Sequence, residues 1–551
     1  MADNSEMVKT IETHFTSLKT ERQPWADTVE DVLKLVIPSR SSMNVNTEPR
    51  TYTVDRDARD GTARSSVYLM ANGLVSNVCS PKAPWFRTVP ELPIHEDIPG
   101  FRAWFDTVDR VFYHILNTGN FYSGAYQVFV DAGTAGLGSM MMTEDLNEFT
   151  VNFTTYAPKG VYIETNALNV VDTFFHHFTL TARDILEEYP DADFPENFKK
   201  NSERKPFQRY ELIHAIFPRK DRDIYKLDKI NKPFASIHIL LNHDVLLRES
   251  GFDSFPLSID RYSFDSEEVY PHSPSIDGYA DIQRLNEISK STTDVAQLIS
   301  NPTVAVPAEL FNDYKIEPNF KLKAYDMERL PTPIPIGQGY PIGVDREVYY
   351  QNIVKDHYFT NIFLTIAASD TPQMTATEVL ERQGEKATVL GGLITRLTRE
   401  FLDPVFQRLF IIAARNKWIP EPPPELLIRN IPIRIDYIGP LAQAQQRFLK
   451  TQGPMASLQN FIPLLQAFPN MAFIIKEYEL AKQILSGSGM PGSVIRDEGE
   501  YQAILAPILQ AQAQAQQAET MEKEASAVNK GSKAPEPGSP SEALLQGEQL
   551  G

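Results

Sequence analysis

The sequence predicts an α+β protein made of several parts, and three observations predict it. The first is length: 551 residues exceed what one hydrophobic core organises, so several domains or one elongated multi-part subunit is expected. The second is a change of hydrophobic period. Apolar residues recur every three or four positions to about residue 117, then in short β-branched and aromatic runs to about Tyr270, then every three or four again. The third is proline, at 40 residues against 27 glycines, which cuts the chain into turns, extended segments and helix stops.

The elements follow in order. Residues 5–37 carry Ile11, Phe15 and Leu18, then Val29, Val32, Leu33 and Val36, at helical spacing, with Pro24 between the two sets and Pro38 as the stop. A second helix is expected near Asp57–Cys79, followed by "PWFRTVP" as a strand, and a third near Ile98–Asn117. From Thr118 to Tyr270, "GLGSMMMTED", "FTVNFTTYA", "KGVYIETNA" and "VVDTFFHHFTL" read as strands. "TARDILEEYP" is a short helix between Thr181 and Pro190, and "NHD" a hairpin turn. "GYADIQRLNEISKSTTDVAQLIS" (278–300) is a helix, with Asp281–Arg284 and Glu287–Lys290 at supporting spacings. A proline-rich excursion (301–343) and another helix (about 345–368) follow. "TPQMTATEVLERQGEKATVLGGLITRLTREFLDPVFQRLF" (371–410) then reads as one helix of about 60 Å, interrupted by Gly391, Gly392 and Pro404. On pattern alone this is an ordinary long core helix that bends. "IRIDY" is a strand, more helix runs to about Met521, and 522–551 has a disordered composition.

Charge and motifs exclude several classes. The formal net charge is −19, opposite to that of a protein that grips nucleic acid through its phosphates. A single cysteine, Cys79, allows no intramolecular disulfide and fits a reducing compartment. No leader pattern opens the chain, and "TNIFLTIAAS" falls short of a membrane span. There is no P-loop, no G-x-S-x-G elbow and no H-E-x-x-H helix. "GTAGLGS" (133–139) reads as a tight turn, and "DRDARDG" (55–61) lacks the spacing of a calcium loop. His176 and His177 point to opposite faces of a strand, and His238 and His243 stand isolated, so no metal site is expected. Nothing in the sequence calls for a cofactor or a catalytic residue.

What remains is the order helix, excursion, helix, loop, long interrupted helix. "MTATEVLERQGE", "LGGLITRLTREFLDPVFQRLF" and "WIPEPPPEL", preceded in order by "RQPWADTVEDVLKLVIPSR", "DGTARSSVYLMANGLVSNVCSPKAPWFRTVP" and "DIQRLNEISKSTTDVAQLISNPTVAVP", resemble the head-to-tail connector (portal) proteins of short-tailed, podovirus-type bacteriophages. The likeness covers most of residues 15–500.

The resemblance implies an elongated, ring-forming α+β subunit with a mainly helical stem and crown, a β-containing wing and a small extended clip. Residues 1–277 would be the wing, 278–300 and 344–368 the stem helices, and 301–343 the clip. Residues 369–376 would be a tunnel loop, 377–429 the long kinked wing helix and its connection, and 430–521 the crown, with 522–551 a tail. It further implies a dodecamer at one capsid vertex of the virion, assembled in the host cytoplasm, around a channel for double-stranded DNA. Partners would be the terminase large subunit, then tail adaptor or nozzle proteins, with major capsid and scaffold proteins around it. Asp281, Glu287, Asp345 and Glu347 would partly face the channel, and Asp370, Gln373, Met374 and Thr375 would lie near the duplex. The clip's docking surface would comprise Tyr314, Lys315, Phe320, Lys321, Lys323 and Tyr325, and Gly391, Gly392 and Pro404 would bend the long helix. The alternatives are another phage structural protein, such as a scaffold or tail component, and a DNA-processing enzyme. The enzyme needs a carboxylate cluster for metal ions, and none has convincing spacing.

Overall fold

A computed structural model describes residues 2–45, 58–91, 101–226, 228–311, 315, 326, 328, 330–334, 340–367, 389–424, 426, 432–439, 478, 481, 499–508, 510–511, 514, 521 and 523. The chain divides into two compact units, Met1–Gln445 and Gln446–Gly551. In the second, the rings of Tyr478 and Tyr501 lie 5.6 Å apart. All the elements that follow belong to the first. They are helices and antiparallel sheets, as the α+β reading expects, and among the described residues no helix is long and apolar enough to cross a membrane.

Helix α1 (Ala2–Val36) runs unbroken through Pro24, as the single helix that the spacing over 5–37 predicts. Its single apolar stripe serves two cores. Val8, Ile11, Phe15 and Leu18 pack on a five-stranded sheet, whereas Val29, Val32, Leu33 and Val36 enter the main helical core. Arg22 sits between them, 1 % exposed. Its guanidinium donates to the Pro158 carbonyl at 3.0 Å and lies 4.7 Å from the centre of the Tyr162 ring, which offsets the cost of burying a charge.

The main core joins α2 (Thr62–Val78), strand β1 (Phe86–Pro90), α3 (Phe101–Thr118) and α4 (Phe121–Ala135). Helix α4 lies inside the span expected to be strands. Its buried residues Phe121, Ala125, Val128, Phe129 and Ala132 recur at helical spacing, and Gly136, at φ +86°, caps it in the left-handed region. Fully buried Trp85 precedes β1. The Tyr113 hydroxyl accepts from the backbone N–H groups of Trp85 and Phe86 at 2.8 and 3.0 Å and donates to the Phe86 carbonyl at 2.8 Å.

Leu137–Asp145 (β2) pairs with both Thr150–Tyr156 (β3) and Leu257–Arg261 (β9). The larger sheet runs β4 (Val161–Thr165), β5 (Val171–Thr181), β6 (Arg209–Pro218), β7 (Phe234–Leu240), β8 (Val245–Phe252), all antiparallel. Helices α5 (Ala182–Glu188) and α6 (Glu196–Arg204) cover one of its faces through Ile185, Tyr189, Phe194 and Phe198.

That sheet corrects one expectation: His238 is not isolated. The register sets His176 opposite His214 and His214 opposite His238, and the last two rings stack 3.9 Å apart. His214 is hydrogen-bonded to Ser236 at 2.9 Å, and His238 to the Tyr189 hydroxyl at 2.9 Å. Burial first, and then repulsion from neighbouring histidines or Arg248, pushes His176 down to about 3, His238 to about 4 and His214 well below its ordinary value. The rings are therefore neutral in the fold and take up protons once the chain unfolds, near pH 6.5. Below that pH the unfolded form binds more protons, so this layer loses stability as pH falls, by about 1.4 kcal/mol per pH unit for each histidine at most. Amide exchange in α5, α6 and β5–β7, corrected for its intrinsic pH dependence, is expected to quicken between pH 7 and pH 5. Unchanged protection would mean that the rings are protonated in place.

A further helical stretch comprises α11 (Gly391–Leu397), a π-helical turn (Thr398–Leu402) and α12 (Asp403–Arg415), after α7 (Pro274–Asp277) and the three helices α8–α10 described in the next subsection. Gly391 and Gly392 open α11, while Pro404 sits in the first turn of α12. A proline cannot donate to the carbonyl four residues back and collides with it. The π turn sits directly before it, and the Ser258 hydroxyl of β9 donates to the Phe401 carbonyl at 2.6 Å.

The Glu400 side chain completes this joint. It accepts from Arg261, 1 % exposed, at 2.8 Å and 3.1 Å. Arg261 also donates to the Asn169 carbonyl at 2.7 Å and packs over Phe264. Beside it, burial and then the Glu400 charge raise the Asp260 carboxyl to about 7. Ionisation of Asp260 above about pH 4 therefore works against the fold, increasingly up to pH 7. Asp260→Asn is expected to stabilise the protein at pH 8 by a few kcal/mol, since a tenfold change in acidity is worth about 1.4 kcal/mol, and to change little at pH 4. Thermal melts at the two pH values test this, and equal effects at both would contradict it.

Candidate functional site: an antiparallel helix pair

Helix α8 (Tyr279–Ser300) and helix α9 (Tyr340–His357) bracket the excursion. They run antiparallel, as contacts along their length show. His357 meets Asp281 at 3.1 Å, Arg284 donates to the Tyr350 hydroxyl at 3.2 Å, and Gly343 faces Thr292. Beyond them β10 (Val304–Ala305) pairs with β11 (Thr332–Pro333), closing the neck of the excursion.

The pair is rooted in the main core at one end only. Ile282, Leu285 and Ser289 of α8 are buried at three-and-four spacing, and Val354 of α9 and Tyr358 complete the root. Residues just before α2 fasten both helices: the Arg59 N–H donates to Asn286 Oδ1 at 2.5 Å, and Gln351 donates to Asp60 Oδ2 at 3.3 Å. The sequence suggested one helix over 345–368, but the chain turns at Tyr358–Phe359, with Phe359 at φ 54°, before α10 (Thr360–Ala367). The buried Tyr358 hydroxyl, bonded to Ser275 at 2.8 Å, holds that turn. The Phe363 ring of α10 lies against Gly73 of α2, where a Cβ would come within 2.4 Å of it.

Several large apolar side chains along the pair stand in water: Leu298 and Ile299 of α8 and Val344, Val348 and Tyr349 of α9 are exposed, Val348 by 51 % and Tyr349 by 61 %. Leu298 and Ile299 lie towards the neck, whereas Val348 and Tyr349 stand beside Tyr350, which Arg284 reaches near the root. Apolar side chains left in water on a helix pair suit a partner surface. None of these residues was singled out by sequence reasoning. The signal was available: Val344, Val348 and Tyr349 fall off the stripe that buries Val354. The two helices together carry six acidic and four basic residues, so the pair presents no basic run.

The named residues are placed as follows. Asp281 is half-buried and engaged with His357. Glu287 and Asp345 are exposed, and Glu347 is half-buried. Arg284 reaches across to Tyr350 and makes no ion pair with Asp281. Lys315 is exposed. Asp370, Gln373, Met374 and Thr375, together with Tyr314, Phe320, Lys321, Lys323 and Tyr325, lie outside the described residues. Among the described residues no group of three or more His, Cys, Asp or Glu could hold a metal ion.

A helical body with side sheets thus carries a rooted helix pair with large apolar side chains left in water along it. The family model for bacteriophage head to tail connecting proteins matches residues 8–495, and the chain belongs to that family. It is 28 % identical over 475 residues to a portal protein of Salmonella phage epsilon15, covering 82 % of this chain and 84 % of that one. It is 25 % identical over 481 residues to a probable portal protein of Bordetella phage BPP-1, with 83 % and 85 % covered. The role is thus structural, a head-to-tail connection in a phage particle, and the resemblance carried by the sequence motifs is borne out.

Proposed function

We propose that copies of this chain close into a twelve-membered ring at one capsid vertex of a short-tailed phage, around a channel through which double-stranded DNA is packaged and ejected. The observation that carries this reading is the set of large apolar side chains exposed along the α8–α9 pair, which a solitary chain leaves in water and a ring of like chains would cover. In this reading α8 and α9 are the stem lining the bore, 301–343 the clip, 1–277 the wing, 369–376 the tunnel loop and 430–521 the crown. DNA must slide, so the bore has to avoid gripping phosphate. The net charge of −19 and the lack of a basic run on the helix pair suit that need, with Glu287 and Asp345 among its exposed carboxylates. The clip would meet the terminase motor first and tail adaptors later. The protein acts without catalysis, takes no cofactor, and assembles in the host cytoplasm with capsid and scaffold proteins.

Negative-stain microscopy of the purified protein tests the reading. Rings with a central hole of duplex width are expected. Monomers, or rings with α8 and α9 on the outer rim, would sink it. A metal-dependent nuclease activity in the same preparation would favour a DNA-processing enzyme.

A further inference from the structure

We propose that a basic, aromatic-tipped loop at one end of the five-stranded sheet docks on an acidic turn at the other end of the same sheet in the neighbouring copy. This contact rests on the ring reading above.

The loop joins β6 to β7. Between Arg219 and Lys232 it carries six basic and three acidic residues, in a chain that is otherwise strongly acidic. Its cations are not all used within the chain. Arg219 pairs with Glu249 at 2.7 Å, Lys232 with Asp253 at 3.0 Å, and Lys226 lies 3.8 Å from Asp223. Lys220, Arg222 and Lys229 are exposed and make no ion pair among the described residues. Two of the loop's three acids serve its own shape. Asp223 Oδ1 accepts the Tyr225 N–H at 3.1 Å, and Asp228 Oδ1 accepts the Asn231 N–H at 2.8 Å. Bonds of this kind pin a loop into one conformation. The pinned loop holds Ile224 and Tyr225 in water, 67 % and 90 % exposed. An aromatic and an aliphatic side chain fixed outward among unpaired cations suit an apolar anchor within an acidic surround.

Such a surround lies on the same domain. From Glu187 to Glu196 there are five acidic residues and no basic one. Glu187 and Glu188 have Arg183 and Arg248 as partners. Asp191, Asp193 and Glu196 are exposed and have no ion-pair partner among the described residues. The turn is anchored from beneath by buried Phe194 and Phe198, whose rings stack 5.1 Å apart.

The sheet topology puts the two patches at opposite ends. Strand β6 begins at Arg209, opposite Thr181 from which α5 departs, and Phe198 of α6 packs on Tyr210 there. It ends at Pro218, opposite Phe234, where the basic loop departs. Two different, complementary patches on one molecule make a head-to-tail contact, which closes into a ring when the rotation per copy allows it. A self-complementary patch would give a closed dimer instead.

The test is a charge-swap cycle on the assembled protein. One variant carries K220E, R222E and K229E, a second carries D191K, D193K and E196K, and a third carries all six. Mass photometry across a salt series gives the concentration at which assemblies dissociate. Each triple variant is expected to lower that midpoint about twofold or more, since exposed ion pairs are salt-screened, and the sextuple variant to restore it. In parallel, a photo-crosslinking amino acid at position 225 is expected to give covalent dimers from assembled wild-type background protein, and to yield a peptide joined to the 187–196 segment. Assemblies that form normally but show neither rescue nor that crosslink overturn this contact and leave the ring reading standing. A chain that never assembles overturns both.

Discussion

Glu400→Ala is expected to destabilise the protein by about 3–5 kcal/mol, because it leaves the buried Arg261 guanidinium without its carboxylate. Arg261 keeps Asn169 and Phe264, so the charge stays where it is and the cost cannot be relieved by moving into water. The removal also lifts Glu400's repulsion of Asp260, which lowers the penalty of ionising that group. For this reason the loss should be largest at low pH, where Asp260 is already neutral. Glu400→Gln, which keeps an acceptor, should cost about half as much. A paired change, Arg261→Met with Glu400→Leu, should cost much less than Glu400→Ala alone, as apolar replacements of buried ion pairs commonly do. Chemical denaturation at pH 5 and pH 8 measures all three. A cost under about 1 kcal/mol for Glu400→Ala would mean the joint is wet and its ion pair screened.

Val348→Asp with Tyr349→Asp is expected to abolish assembly while leaving the chain folded. Both side chains are exposed on a single chain, so monomer stability should change by less than about 0.5 kcal/mol. In the ring each would be covered, losing about 1.5–3 kcal/mol of apolar burial per side chain and leaving a carboxylate to be buried unpaired. Repeated at every contact around the ring, that exceeds what a weak interface tolerates. Mass photometry at micromolar protein should show only monomers, with circular dichroism unchanged. Rings of wild-type size would show that these two side chains face solvent in the assembly.

Much of the architecture was legible because helix period and capping act locally. The expected helix at 278–300 matches α8 at Tyr279–Ser300, where Pro302 leaves the helix little freedom to continue. Helix α4 was not legible. Its glycines and β-branched residues resemble the neighbouring strands, and only packing against α2 and β2 decides in favour of a helix. The break at Tyr358–Phe359 carries no glycine or proline; it is imposed by the buried Tyr358–Ser275 bond across 83 positions of sequence, which no local pattern contains. The histidine stack was hidden for the same reason, since strand register brings together residues that stand 24 and 38 positions apart. At the candidate site the reverse holds. The sequence pointed to the two helices through their order, and missed their exposed apolar residues because charge alone favoured Asp281, Glu287, Asp345 and Glu347.

The widened turn at Thr398–Leu402 also sets an angular phase. Six buried residues, Leu393, Leu397, Phe401, Val405, Leu409 and Ala413, recur at every fourth position. In an unbroken α-helix each such step overshoots a full turn by about 40°, so five steps would carry the stripe more than halfway around the barrel of the helix. A π turn accommodates about one additional residue and holds that drift back by roughly 100°. Deleting a single residue there would leave the composition almost unchanged, yet it would rotate Phe406 away from Trp85, whose ring it now meets at 5.6 Å. One residue of slack thus keeps a long rod pressed against a single wall.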